Sequence, residues 1–379
     1  MLGQVPSEVL HYARDTSPPW LDLISSNSLI TSVTQKCPRL RSLSILPVEV
    51  ESMSPASRSS SGQSLRISFP SDSPEIYSSF LQLGNLTSLL VSPTILCPEG
   101  LIALSSLPKL ESLTVVGWDG DSTVYCDHLQ IPINAFPALK HLELNELTWG
   151  TVSNLCDTKA IITGLESMTI THPQYHSHVE EGPDDLSYII PLLAINNSSI
   201  TTLTAPRFGS YRHSPEMLNS WSRLPLVSLY LGWTVIDHHG FEALWSILSC
   251  LPLLENLQLN MGRDSFELRQ MRKIVETLPR LRRIQIPVKW GSVTQLTRED
   301  FTLCRSQFDY PLHMKSDFYL PESQEEEGAR QLARYLFILR PTAPVICESF
   351  QAYFYHQGIK VDEQPKGMIS LELSRLGLK

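Results

Sequence analysis

Read only for apolar and polar positions, the chain repeats one phrase, L-x-x-L-x-[LIV], often behind a Leu-Pro or Cys-Pro step. It is spelled CPRLRSLSI at 37–45, GNLTSLLV at 84–91, LPKLESLTV at 107–115, FPALKHLEL at 136–144 and TGLESMTI at 163–170. It continues as SSITTLTA at 198–205, LPLVSLYL at 224–231, LPLLENLQL at 251–259 and LPRLRRIQI at 278–286. A degenerate copy, QSLRISF at 63–69, falls in the double-length gap between the first two. In x-L-x-L-x the two apolar residues share one face of a short strand, because side chains alternate with period two, and the residue between them faces the other way. One such strand is not stable by itself. Stacked in parallel about 4.8 Å apart, the inward leucines become one continuous core.

The segments between phrases predict short helices. CPEGLIALSSLP (97–108) spaces Leu101, Leu104 and Leu107 helically, 237–252 does so with Phe241, Leu244, Trp245 and Leu248, and 266–279 with Leu268, Met271, Ile274 and Val275. Pro108, Pro252 and Pro279 end them, since proline lacks an amide hydrogen and restricts the residue before it. The first apolar positions of successive units are 22 to 35 residues apart, the period of leucine-rich repeats with insertions. The expected fold is therefore an α/β leucine-rich-repeat solenoid: a curved parallel sheet on the concave face, helices and turns on the convex face, and a C-terminal cap.

Three regions follow. Residues 1–36 are an N-terminal flank with a capping helix, 37–290 hold about ten repeats, and 291–379 contain an irregular connection, a capping helix and strand, and a tail. Within the last, 291–328 read as irregular, and 324–340 as an amphipathic helix whose acidic start suits the helix dipole. The Ser-rich stretch 51–64 and the polar stretch 172–187 have almost nothing to bury and read as loops.

Composition agrees with repetition: 57 of 379 residues are leucine, far above ordinary usage. The formal net charge of −9 gives no global positive field, which disfavours general nucleic-acid or membrane-surface binding. The start lacks a basic segment leading into an apolar one, no run reaches membrane-spanning length, and seven scattered cysteines form no C-x-x-C pair. These features predict reduced thiols in a cytoplasmic or nuclear protein.

Together with helix-to-strand steps such as EGLIALSSLPKLESLTV, the phrase resembles the leucine-rich-repeat half of F-box proteins, particularly the large fungal families, over roughly residues 20–350. In that family the repeats hold a substrate, and an N-terminal F-box of three short helices docks the adaptor of a cullin-based ubiquitin ligase. The opening VPSEVLHYA is similar to an F-box start, but SPPWLDLISSNSLITSVTQKCPRL runs at once into the first repeat. The resemblance thus implies a receptor whose F-box is absent or lost, with a ligase adaptor as a partner only if an F-box is encoded upstream.

Candidate chemistry is sparse. His172, His176 and His178 with Glu180 and Glu181 match no standard zinc spacing, and Asp237 reads as an N-cap beside His238 and His239. Cys37, Cys97 and Cys250 stand where a small apolar side chain would pack, and the acceptor patterns at Asn85 and Asn197 read as coincidences. No phosphate-binding loop or nucleophile elbow is present, so no catalytic residue, metal or cofactor is expected.

What remains is binding. The outward positions of early phrases are mostly small hydroxyls, whereas the later ones are Tyr230, Asn256, Gln258, Arg283 and Gln285, which make directional contacts. Trp118, Trp149, Phe208, Trp233 and Trp290 follow strands by two to five residues and predict an aromatic rim. Between 263 and 289 eight basic residues stand against three acidic ones. Arg269, Arg272 and Lys273 are expected on the convex face as solvated groups, while Arg280, Arg282 and Arg283 with Lys289 predict a grip on an acidic or phosphorylated protein segment.

Overall fold

The computed structural model describes residues 9–10, 40–44, 80–91, 93–117, 131–132, 134–171, 186–197, 199–205, 215–232, 238–260, 265–302, 310–316, 325–340 and 345–349. They divide into unit 1, Met1–Ile200, and unit 2, Thr201–Lys379.

In unit 1 the strands β1 (Val9–Leu10), β2 (Ser42–Ser44), β3 (Ser88–Val91), β4 (Ser112–Val116), β5 (His141–Asn145) and β6 (Ser167–Thr171) pair in chain order, all parallel. The helices α1 (Pro98–Ser105), α2 (Trp149–Asp157), α3 (Lys159–Ile162) and α4 (Leu186–Asn196) form the returns, with a 3-10 turn at Pro93–Leu96. Unit 2 repeats the plan. Its strands β7 (Thr202–Ala205), β8 (Ser228–Leu231), β9 (Asn256–Leu259), β10 (Arg283–Gln285), β11 (Leu312–Ser316) and β12 (Val345–Ser349) are parallel neighbours in chain order. Its helices are α5 (Pro215–Arg223), α6 (His238–Ser249), α7 (Leu268–Thr277) and α8 (Glu325–Leu339). The fold is a leucine-rich-repeat solenoid.

The phrase explains the ladder residue by residue. Leu89, Leu113, Leu142 and Met168 stand in register in unit 1, and Leu203, Leu229, Leu257, Ile284 and Met314 in unit 2, all buried. Helix residues Leu101, Leu104, Phe241, Leu244, Leu248, Leu268, Met271, Ile274 and Val275 close over them, as their spacing requires. Trp245 is only half-buried. One backbone contact recurs at the upstream end of several strands: the carbonyl of the residue before the strand accepts two amides from the next unit. Arg41 O takes Thr87 and Ser88, Thr87 O takes Glu111 and Ser112, and Glu255 O takes Arg282 and Arg283, at 2.7–3.0 Å. A carbonyl has two lone pairs, so one atom sets the register of the following unit.

Several expectations are corrected. β2 pairs directly with β3, Leu43 against Leu89, so no strand from 63–69 stands between them; those residues themselves lie outside the described residues. The stretch expected to be irregular, 291–328, carries β11 and 3-10 turns at Trp290–Gln295 and Arg298–Phe301. β11 reads LHMKS, with Leu312 and Met314 buried, and escapes the leucine phrase because Met fills the second apolar position. The ladder therefore continues past 290 through β12. Asn197, whose acceptor pattern reads as a coincidence, has a structural role that the sequence does not announce and that leaves that reading as it stands: it is 3% exposed and uses its whole amide, Nδ2 donating to Ile162 O at 2.6 Å and Leu165 O at 2.9 Å, while Oδ1 accepts from the Ser199 and Ile200 amides at 2.7 and 3.1 Å. Cys97 is the N-cap of α1, its Sγ accepting from Gly100 N. Ile45, Cys37, Asp237, residues 51–64 and residues 172–185, with His172, His176 and His178, lie outside the described residues; Leu186 and Ser187, read as the end of a loop, open α4.

Candidate functional site

Each ladder buries one face and leaves the other open, and strand register assigns the open positions. In unit 1 they are Ser88 and Leu90, Ser112 and Thr114, His141 and Glu143, and Ser167 and Thr169. This face binds itself. Glu143 accepts from Thr114 Oγ1 at 3.3 Å and Asn145 Nδ2 at 2.8 Å, Asn145 Oδ1 accepts from Thr171 Oγ1 at 2.8 Å, and His141 Nδ1 lies 2.8 Å from Ser167 Oγ.

Unit 2 arranges its open face in two rows. One runs Thr202, Ser228, Asn256, Arg283, His313, Ile346; the other runs Thr204, Tyr230, Gln258, Gln285, Lys315, Glu348. Asn256 Nδ2 donates to Ser228 Oγ at 2.9 Å. Arg283 is exposed, while Tyr230, Asn256, Gln258, Gln285, His313 and Lys315 are half-buried. His313 and Lys315 belong to these rows, although the leucine phrase ends before 290 and does not announce them. The M-x-S pattern of HMKS and the preceding Pro-Leu were the signal that could have found them.

The basic cluster does not form one patch. Arg269 makes a two-pronged pair with Asp300 at 2.9 and 2.8 Å, and Arg272 pairs with Glu276 at 2.8 Å and donates to Asp300 O at 2.7 Å. Lys273 lies 3.6 Å from Glu242 and 4.1 Å from the centre of the Trp245 ring. These three side chains are thus engaged on the helix side, where they were expected to be merely solvated. Arg282 lies 3.4 Å from Glu255 and stacks 5.0 Å from the Tyr310 ring centre, with buried Arg340 on that ring at 5.5 Å and donating to Leu281 O at 2.7 Å. Tyr310 itself donates to Pro279 O at 2.6 Å, and burial raises its phenol above the ordinary value. Arg280 and Arg282 precede β10, and Lys289 follows it, so the strand separates them. Arg263 lies outside the described residues.

Of the aromatic rim, one member is corrected. Trp290 is 1% exposed and donates from Nε1 to Ser316 Oγ at 3.2 Å, which makes it core rather than rim. Trp149 opens α2 behind the N-cap Thr148 and is half-buried. Trp118, Phe208 and Trp233 lie outside the described residues.

Two of the described thiols are held away from the reactive thiolate form. Burial pushes the Cys156 thiol up to about 12 and raises that of Cys250, opposite to what a reactive thiolate needs. Among the described residues no group of three His, Cys, Asp or Glu side chains could hold a metal ion, and no helix is long and apolar enough to cross a membrane.

No family model matches the chain, and no curated protein matches it. Among solved structures, the leucine-rich-repeat-containing protein LegL7 from Legionella pneumophila matches over 91% of this chain and 94% of its own, with 14% identity and a TM-score of 0.44. A TLR13–ssRNA13 complex matches over 74% of this chain and 52% of its own, with 13% identity and a TM-score of 0.26. The fold assignment rests on this chain's own ladder, and neither likeness extends it to a function.

Proposed function

We propose that the chain is a non-catalytic protein-recognition solenoid whose partner lies across the open face of unit 2. The observation that supports this is the pair of rows there: four successive strands present Thr202 and Thr204, Ser228 and Tyr230, Asn256 and Gln258, then Arg283 and Gln285, at matched register positions. Polar groups held on paired strands are pre-organised, so little ordering cost accompanies binding. Tyr and Arg are also favoured interface anchors. The finer reading makes this surface the substrate-holding part of an F-box-like ubiquitin-ligase receptor in the cytoplasm or nucleus. Its support is the resemblance of the repeat phrases. The alternative is a free-standing scaffold with no ligase link.

Quantitative affinity capture with cross-linking tests both levels. The full chain is compared with a Tyr230→Ala/Gln258→Ala/Gln285→Ala variant and with Lys159→Ala on α3 as control. The triple variant is expected to lose a defined partner set that the control keeps; an unchanged set overturns recognition by these rows. Recovery of a cullin-ligase adaptor with the wild-type chain supports the receptor reading, and a partner set without one favours the scaffold.

A further inference from the structure

The open positions of β4, β5 and β6 hold one carboxylate, Glu143, and neither lysine nor arginine. Glu143 is exposed and forms no ion pair among the described residues. Two lysines of unit 1 are engaged elsewhere, Lys140 with Glu166 at 3.0 Å and Lys109 with Asn85 Oδ1 at 2.7 Å. The carboxylate is nevertheless held in place through both oxygens. Oε2 accepts from Thr114 Oγ1 at 3.3 Å and Oε1 from Asn145 Nδ2 at 2.8 Å, while Asn145 Oδ1 accepts in turn from Thr171 Oγ1 at 2.8 Å. Three strands thus orient one charge, and they do so with uncharged donors that leave it unneutralised. Each oxygen has two lone pairs and commits one here, so both can still accept.

We infer that Glu143 anchors an arginine on an extended segment of a partner protein laid across the strands of unit 1, a surface separate from the rows of unit 2. The guanidinium is the cation that fits. Its planar fork reaches both oxygens of a fixed carboxylate at once, whereas an ammonium meets the group as a point charge. Thr169 stands in register beside Glu143 on β6, about one strand spacing of 4.8 Å away, and its hydroxyl makes no hydrogen bond among the described residues. It offers an acceptor to a guanidinium N–H that the carboxylate leaves over. His141, two residues earlier on β5, is occupied by Ser167 Oγ at 2.8 Å. An ion pair left in water contributes little, because both charges stay hydrated and screened. A protein segment lying over the strands excludes that water, while an open strand face cannot enclose a free small cation.

The test presents the full chain with bead-bound peptides of one uncharged Ser/Thr/Gln sequence that differ only at the central residue: arginine, citrulline, lysine or glutamate. Citrulline keeps the shape of arginine and removes its charge. The arginine series is expected to be retained about tenfold more strongly than citrulline and more strongly than lysine, with Glu143→Gln removing that advantage, the equivalent of one charge-assisted hydrogen bond. Thr169→Val should weaken the arginine series and leave the lysine series unchanged. Glu99→Gln carries the same charge change on α1 and should alter nothing, as should the Tyr230→Ala/Gln258→Ala/Gln285→Ala variant of unit 2. Equal retention of arginine and citrulline, preference for lysine, indifference to Glu143→Gln, loss of arginine retention in the unit 2 variant, or no retention of any series each overturns the inference. The capture experiment on Tyr230, Gln258 and Gln285 reads the other unit, so either surface can fail alone.

Discussion

Replacing Asn197 by alanine removes four hydrogen bonds from a side chain that is 3% exposed. Their losses are unequal. Ser199 is exposed, so its amide can turn to water, and Ile162 O keeps the Leu165 amide at 3.4 Å. Leu165 O and the Ile200 amide belong to fully buried residues and lose their partner outright. Each buried polar group left unsatisfied costs about 1–3 kcal/mol, so Asn197→Ala should destabilise unit 1 by about 2–6 kcal/mol. Equilibrium urea unfolding followed by far-UV circular dichroism measures this. Asn197→Asp retains the acceptor for the two amides but sets an oxygen against the carbonyls of Ile162 and Leu165, and should be destabilising too. Ser199→Ala destroys the same acceptor pattern in the sequence, yet keeps the amide network, and should change stability by under about 0.5 kcal/mol. A loss below about 1 kcal/mol for Asn197→Ala would refute the assignment of this side chain as the brace between the turn after α4 and the α3–β6 connection.

Leu144→Ala and Leu257→Ala should each cost about 2–5 kcal/mol in the same assay, through lost transfer energy and the cavity left behind; costs below about 1 kcal/mol at both sites contradict the register. Arg269 beside Asp300, with the Thr297 amide and hydroxyl, holds the Asp300 carboxyl well below the usual carboxylate range. A depressed folded value means the stabilisation is complete above the unfolded carboxylate value of about 4 and is lost as pH falls below it toward the folded one. Asp300→Asn should therefore lower stability at pH 7 and flatten its acid dependence, and a pH profile of unfolding identical to wild type would rule the pair out as a stabilising contact.

Leucine at every second position, renewed every 22 to 35 residues, was enough to read parallel strands, their inward faces and the helices α1, α6, α7 and α8 from the sequence, though not α2 to α5. Side-chain alternation and the burial of apolar surface are local rules, and Leu113, Leu142, Leu229 and Leu257 obey them without reference to the rest of the chain. The open-face rows through Gln285 were legible for the same reason. What the pattern could not decide was which units become neighbours: β2 meets β3 directly, and β11 joins the ladder with a methionine in a leucine's place. Nor could it decide the fate of individual polar and aromatic groups. Trp290 sinks into the core because Ser316, on a strand the phrase does not announce, meets its indole. Asn197 becomes a brace because Ile162 and Leu165, 35 and 32 residues earlier, present carbonyls that need donors. Arg283 remains available while Arg269, Arg272 and Lys273 do not, because carboxylates from Asp300, Glu276 and Glu242 reach the helix side alone. Periodicity assigns a residue to a face; only the packed chain supplies the partner that satisfies a charge or hydrogen bond there, because that partner comes from a different repeat.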